Sequence, residues 1–169
     1  IVFAFGLAVL ALYMVLGSQF NDFFQPVSIM ATAPLAFVGA FSTLALSGQN
    51  LSIFGQIALL ALVGLVMKNG ILIVDHANQA RERGLDAREA MLEAGPIRLR
   101  PVLMTTLSTV FGMIPLAFSE ADASEYRAPM GVLAIGGMIS STALTLVVVP
   151  VVYSLIDEGI QSLTHFLTS

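Results

Sequence analysis

The sequence predicts an all-α membrane protein: a bundle of five transmembrane helices with a short cytoplasmic amphipathic helix between the third and the fourth. Composition indicates the membrane setting, because 57% of the 169 residues are hydrophobic, only 11% are charged and the mean hydropathy is +0.90. A water-soluble chain of this size would expose more apolar surface than its polar residues could cover. The apolar runs have a helical period, and backbone amides in hydrocarbon need partners within the chain, so helices are favoured over barrel strands.

Five apolar runs define the predicted spans. They cover roughly residues 1–16, 27–46, 54–74, 102–118 and 130–156. About 20 residues at 1.5 Å each cross a hydrocarbon core of about 30 Å, so the middle three runs fit single spans. The first run begins at Ile1 without an initiator Met, a basic flank or a cleavage site, so we expect the chain to be part of a longer protein.

The prolines fall into two groups. One group lies near the starts of apolar runs, where the missing amide hydrogen costs little, and is predicted to mark helix entries. These residues are Pro26, Pro96, Pro101 and Pro129. The other group lies inside the runs and is predicted to kink the helices. These residues are Pro34, Pro115 and Pro150.

Arginine placement predicts the orientation. Of the seven basic residues, five lie between the third and fourth spans: Arg81, Arg83, Arg88, Arg98 and Arg100. The positive-inside rule makes this connection cytoplasmic, so the chain is predicted to begin on the outer side and to end inside. The predicted division is a transmembrane bundle over 1–157 and a cytoplasmic tail over 158–169.

The same connection contains the predicted amphipathic helix. Residues 85–94 alternate charged side chains with the small or apolar residues Ala87, Ala90, Met91 and Ala94. This spacing predicts a short helix lying against the membrane face, and Gly95-Pro96 is predicted to end it. Its charges are typical of a solvated face rather than a binding site.

Lys68 is the only lysine and lies within the third span. An ammonium near the middle of the hydrocarbon costs about 2.5 to 3.5 kcal/mol on insertion scales, and no carboxylate is expected at its depth. Three resolutions are open: the side chain snorkels toward Asp75, the amine is neutral, or its counter-ion lies in a part of the protein outside this chain. The third is favoured, and it makes Lys68 a candidate for moving ions.

A depth argument adds Thr105 to the candidate site. Lys68 lies seven residues from Asp75 in the third span, and Thr105 lies seven residues beyond Arg98 in the fourth. Seven residues are about 10 Å of helix, so antiparallel neighbours would bring Lys68 and Thr105 to similar depth. Thr105 can donate and accept a hydrogen bond, although threonine in a membrane helix usually bonds its own backbone. Asn69 points about 100 degrees away from Lys68 and is a weaker candidate.

Several classes of function are disfavoured. The two histidines, His76 and His165, have no cysteine or further histidine at metal-ligand spacing, and no glycine-rich phosphate loop is present. The eight methionines are scattered and fit apolar packing better than metal binding. Nothing resembles a base-reading motif. The sequence therefore predicts a protein that is not an enzyme, that has no cofactor or metal and no nucleic-acid partner, and that contacts membrane lipid.

Six motifs, taken together, resemble a known family. In chain order they are Met67-Lys-Asn-Gly-Ile-Leu-Ile-Val-Asp75, Asn78-Gln-Ala-Arg-Glu-Arg-Gly84, Arg88-Glu-Ala90, Arg98-Leu-Arg-Pro-Val-Leu-Met-Thr-Thr106, Gly112-Met-Ile-Pro-Leu116 and Val147-Val-Val-Pro-Val-Val-Tyr153. They resemble the C-terminal membrane half of resistance-nodulation-division efflux transporters, in the hydrophobe and amphiphile (multidrug) exporter branch. The resemblance extends from about Phe5 to Asp157.

The resemblance implies that these are the last five of twelve transmembrane helices of a pump in the bacterial inner membrane. It implies a proton relay with Lys68 as the relay lysine, Thr105 as the relay threonine and Arg98 near the cytoplasmic mouth. The essential aspartate pair of the family belongs to the N-terminal half, which this sequence does not contain. The resemblance also implies a homotrimer, a periplasmic adaptor and an outer-membrane channel. Metal-exporting relatives usually lack a lysine in this motif, so Lys68 favours the drug-exporting branch.

The functional hypothesis is thus a proton-driven antiporter that exports drugs or other hydrophobic and amphiphilic compounds. The alternative is a non-transporting membrane scaffold or sensor module in which the buried Lys68 is purely structural. A protein-export accessory with a related bundle is a further possibility. A second six-helix half with a large extracytoplasmic insertion, encoded upstream of Ile1, would favour the pump.

Overall fold

The computed structural model describes residues 2–120 and 124–168. Within them the chain forms six helices and no strand: α1 Val2–Phe20, α2 Gln25–Met30, α3 Thr32–Leu46, α4 Ile53–Glu82, α5 Ala87–Ala117 and α6 Ser124–Thr168. With α2 and α3 counted as one span, five helical segments are long and apolar enough to cross a membrane. The predicted all-α architecture with five apolar spans is confirmed.

The second span is broken between α2 and α3. Ala31 is a turn residue, and Pro34 stands in the first turn of α3. A proline at 34 has no N–H to donate to the Met30 carbonyl, so the helical ladder fails one turn before it. Thr32 Oγ1 donates to the neighbouring Ile29 carbonyl at 2.7 Å and so satisfies one acceptor at the break. The interruption expected from Pro34 is present.

The prediction of a separate amphipathic helix over 85–94 was wrong. The segment is helical from Ala87, but it runs without a break through Gly95 and Pro96 into the fourth span as one helix, α5. Its small residues do face inward: Ala87, Ala90, Met91 and Ala94 are buried in a cluster with residues of α4, not laid on the membrane face.

Pro96 and Pro101 do not end α5, because the backbone hydrogen bonds that they remove lie on the exposed face of the helix. The carbonyls that Pro96 and Pro101 leave without their helical donor belong to Leu92 and Ile97, which are 69% and 50% exposed. Of the four prolines predicted to mark helix entries, only Pro26 stands in the first two positions of a helix. Pro129, like Pro96 and Pro101, lies inside a helix.

The long helix α6 is packed against α3, α4 and α5. Glycines permit these close approaches: a Cβ at Gly131 would lie 2.7 Å from the Ala117 backbone nitrogen on α5, and one at Gly137 would collide with the Leu62 side chain on α4. Small residues at such positions let membrane helices pack closely. Helix α6 has 45 residues and continues beyond position 157, where the tail was expected to begin.

The periphery of the bundle is much less covered. Only 6% of the span in α1 and 11% of that in α5 are buried, against 50% in α4 and α6. The outer helices therefore present wide apolar faces to lipid or to further protein.

Candidate functional site

Lys68 lies at the middle of α4, with 15 residues of the helix before it and 14 after it. Its neighbours Met67 and Asn69 are 1% and 0% exposed, whereas Lys68 itself is half-buried. The lysine side chain is therefore directed away from the core that encloses both of its neighbours.

The ammonium of Lys68 has no ion pair or hydrogen bond within residues 2–120 and 124–168. The ion pairs of the described chain are Arg81–Asp157 and Arg83–Glu93, both near the α4–α5 connection. Asp75, the proposed snorkelling partner, instead accepts a hydrogen bond from Gln79 Nε2 at 3.0 Å. Snorkelling of Lys68 onto Asp75 is thus not observed.

Two sets of contacts fix the register of the helices around Lys68. Helix α6 runs parallel to α4, with Leu62 against Gly137 and Asn78 bonded to Tyr153, and the members of both pairs are 75 residues apart. Helix α5 runs antiparallel to α6. Two of its contacts there are Thr106–Thr142 and Ala117–Gly131, and the residue numbers of each pair add up to 248.

This register places Lys68 and Thr105 at the same level. Because the α5–α6 pairs add up to 248, Thr105 is level with residue 143 of α6. Because the α4–α6 pairs differ by 75, Lys68 is level with the same residue. The two side chains are on helices that pack against each other. No hydrogen bond joins them in the described chain, since the Thr105 hydroxyl donates to the Val102 carbonyl at 3.0 Å. The local backbone bond, the alternative considered for this threonine, is the one observed.

Arg98 lies two helical turns from Thr105 on α5 and, by the same register, level with Asp75. It is half-buried, and its Nε is enclosed without a hydrogen-bond partner among the described residues. The three candidates Lys68, Thr105 and Arg98 therefore lie along the same stretch of α4 and α5, and no hydrogen bond or ion pair joins them in the described chain.

A second polar cluster lies at the end of α4 near the α4–α5 connection. Tyr153 of α6 is its centre: its hydroxyl donates to Asn78 Oδ1 at 2.8 Å and accepts from Arg81 Nη1 at 3.3 Å. Arg81 also pairs with Asp157 at 3.0 Å, and Asn78 Nδ2 donates to Gln25 Oε1 of α2 at 2.7 Å. The cluster ties α2, α4 and α6 together through side chains alone.

Sequence reasoning did not identify this cluster, and it treated Asn69 as a weaker candidate. Asn69 is fully buried, and the buried hydroxyls of Thr106 and Thr142 bond across α5 and α6 at 2.8 Å. Asn69, Thr106 and Thr142 are uncharged, so they do not stand out in a hydropathy profile as Lys68 does. The only available signal was the seven-residue spacing from Leu62 to Asn69, which puts the asparagine on an inward face.

Comparisons with known proteins give the chain its family. The sequence profile of the AcrB/AcrD/AcrF family matches residues 1–157. A crystal structure of a heavy metal efflux pump is similar, with a TM-score of 0.79 and 31% sequence identity. That match covers 89% of this chain but only 14% of the pump, so the chain spans about one seventh of the length of its solved relative. The protein belongs to the AcrB/AcrD/AcrF family of resistance-nodulation-division efflux pumps.

Proposed function

We propose that this chain is the membrane part of a proton-driven antiporter that exports drugs or other hydrophobic and amphiphilic compounds. The observation that supports it best is Lys68, a half-buried cation at the centre of an apolar helix with no anionic partner in the described chain. A charge in that position is costly unless a carboxylate from elsewhere in the protein compensates it. In this family the expected source is the aspartate pair of the N-terminal half.

The proposed mechanism uses the level that Lys68 shares with Thr105. At rest Lys68 keeps the carboxylates ionised, because a nearby cation favours their charged form. Protonation of one carboxylate weakens the ion pair and frees the ammonium to turn toward Thr105, whose hydroxyl oxygen can accept a hydrogen bond from Lys68 while the hydroxyl still donates to the Val102 carbonyl. Helix α4 then shifts against α5, and that movement is passed to the outer parts of the pump.

The replacement Lys68→Ala in the full-length pump tests this role. Proton-coupled export is expected to be lost, while the amount of protein in the membrane stays normal. Arg127→Ala is the matched control, since it removes a positive charge from an exposed position in the first turn of α6. Full drug resistance in cells that carry Lys68→Ala would reject the proposal.

Export of heavy-metal ions is the second candidate, favoured by the solved heavy metal efflux pump at 31% identity. The two substrate classes are separated by one experiment: cells lacking their own pumps express the full-length protein and are challenged with a drug panel and with heavy-metal salts. Protection against the drugs alone supports the drug-type assignment. Protection against the metals alone replaces it with metal export by the same membrane machinery.

By resemblance, the proposed assembly is a homotrimer in the bacterial inner membrane, with a periplasmic adaptor, an outer-membrane channel and a cytoplasmic C-terminus. The wide apolar faces of α1 and α5 are consistent with further helices packing on this bundle.

A further inference from the structure

Asn69 is enclosed by this chain's own helices. It is 0% exposed, yet neither its amide nitrogen nor its amide oxygen has a hydrogen-bond partner among the described residues. A buried amide without partners is strongly disfavoured. Unlike the half-exposed Lys68, Asn69 cannot be reached by a side chain from outside the bundle, so its partner must lie within the α4 interface.

Thr145 of α6 has the same property at the same level. It is 0% exposed, and its Oγ1 has no partner. The register of α4 and α6 sets Asn69 opposite residue 144, one position from Thr145. Direct α4–α6 contacts bracket both residues: Leu62–Gly137 lies on one side and Asn78–Tyr153 on the other. The two unpartnered groups therefore lie at one level of two helices that are in direct contact above and below them.

Other buried hydroxyls on α5 and α6 near this level are satisfied. Thr106 and Thr142 bond each other at 2.8 Å, and Ser141 Oγ donates to the Met138 carbonyl at 3.2 Å. The unpartnered groups near this level of the described chain are thus the Asn69 amide of α4, Thr145 Oγ1 of α6 and Ser28 Oγ of α2, whose neighbour Ile29 lies against Gly70.

We propose that Asn69 and Thr145 form a buried water-binding site between α4 and α6. An amide offers donors and an acceptor, a hydroxyl offers both, and a buried water typically makes two to four such bonds. A cation does not fit, because two neutral oxygens are too few ligands and the Lys68 charge is adjacent in sequence. An anion does not fit a site that lacks a charged donor.

The site has a physical consequence for helix motion. A water molecule exchanges hydrogen bonds more readily than a packed side chain, so α4 can shift along α6 without leaving the Asn69 amide unpaired. This inference does not depend on the proposed proton coupling.

Magnetisation transfer from water tests the site directly. The full-length protein, labelled with ¹⁵N-asparagine and held in lipid bilayers, is studied by water-edited solid-state NMR, and the Asn69 signal is assigned by its loss in Asn69→Leu. Transfer to the Asn69 side-chain amide is expected to be several-fold faster than to backbone amides of the apolar core. Transfer as slow as in that core would overturn the proposal.

Hydroxyl variants test the part played by Thr145. Thr145→Val is expected to reduce the transfer rate to Asn69 by roughly half or more, because the water loses one of its few partners. Thr145→Ser, which keeps the hydroxyl, and Ser141→Ala, which removes a locally bonded one, should leave the rate unchanged. An unchanged rate in Thr145→Val, or an equal fall in Ser141→Ala, would contradict the assignment of Thr145.

Discussion

Lys68 and Asn69 are neighbours in sequence with opposite surroundings. Lys68 is half-buried, and Asn69 is fully enclosed by the bundle. Successive residues of a helix point about 100 degrees apart, which is enough to separate a side chain that faces further protein from one that faces its own core. The candidate relay and the candidate water site thus occupy different sides of α4.

Thr105 gives the sharpest test at the residue scale. Thr105→Val is expected to reduce proton-coupled export by at least about tenfold, because the hydroxyl that would receive Lys68 is gone. Thermal stability should change little, since that hydroxyl is bonded only to its own helix. Thr105→Ser should retain export. As a control, Thr109→Val removes a hydroxyl that bonds the Thr105 carbonyl one turn away; an equal loss of export there would argue against a specific role for Thr105.

At the scale of single residues, the sequence predicts a site when it contains a charged side chain and misses one made of neutral polar side chains. A lone lysine in hydrocarbon stands out in any sequence, so Lys68 could be found without a structure. Asn69 and Thr145 could not, because neutral polar residues in membrane helices often bond their own backbone, and only the structure shows that these two side chains do not.

The helices themselves are joined by a few specific contacts, and the Tyr153 cluster is one of them. Tyr153→Phe is expected to destabilise the bundle by about 0.5 to 1.5 kcal/mol, because the partly buried Asn78 Oδ1 loses its donor and Arg81 loses an acceptor. The free energy of unfolding in detergent measures this. Tyr13→Phe, which removes an exposed bond to the Phe23 carbonyl, should have a smaller effect. Equal effects would show that the cluster adds nothing beyond an ordinary hydroxyl bond.

Glycine substitutions test the packing of α6. Gly131→Val is expected to cost about 1 to 3 kcal/mol or more, since its Cβ would meet the backbone of Ala117 on α5. Gly112→Ala on α5 is the matched control: nothing lies within 4 Å of its Cβ, so stability should hold or rise slightly. Unfolding measurements on both variants decide whether the α5–α6 approach is as close as described.

The sequence predicted helix boundaries correctly where the thickness of the hydrocarbon sets them. It predicted them wrongly where packing between helices sets them. The five spans follow from apolar length, and Pro34 correctly indicated a break. Gly95-Pro96 suggested an end to a helix that in fact continues, because burial of Ala90, Met91 and Ala94 outweighs the loss of one outward-facing backbone bond.

At the scale of the whole molecule, the outer helices of the bundle, α1 and α5, are little buried. Only 6% of the span in α1 is buried, and Lys68 is without an anion in the described residues. Residues 1–169 alone, reconstituted in liposomes, are therefore expected to carry no proton flux, because the carboxylates proposed to pair with Lys68 belong to the N-terminal half of the pump. A fluorescent pH indicator inside the vesicles measures this, with the full-length pump as the positive control. A flux through residues 1–169 would contradict the relay described above.

Topology is tested with reporter fusions to the full-length protein. A reporter after Ser169 should be active only if it requires the cytoplasm, and one inserted in the α3–α4 connection, at Gly48, only if it requires the periplasm. The opposite pattern would reverse the proposed orientation of every helix.

Helix α6, with its 45 residues, is about 67 Å long and more than twice as long as the hydrocarbon is thick. The C-terminal end of α6 therefore lies outside the hydrocarbon, where a small tilt of the helix within the membrane would displace it sideways by a larger distance. A spin label at Gln161 would report such rocking from a place remote from the chemistry.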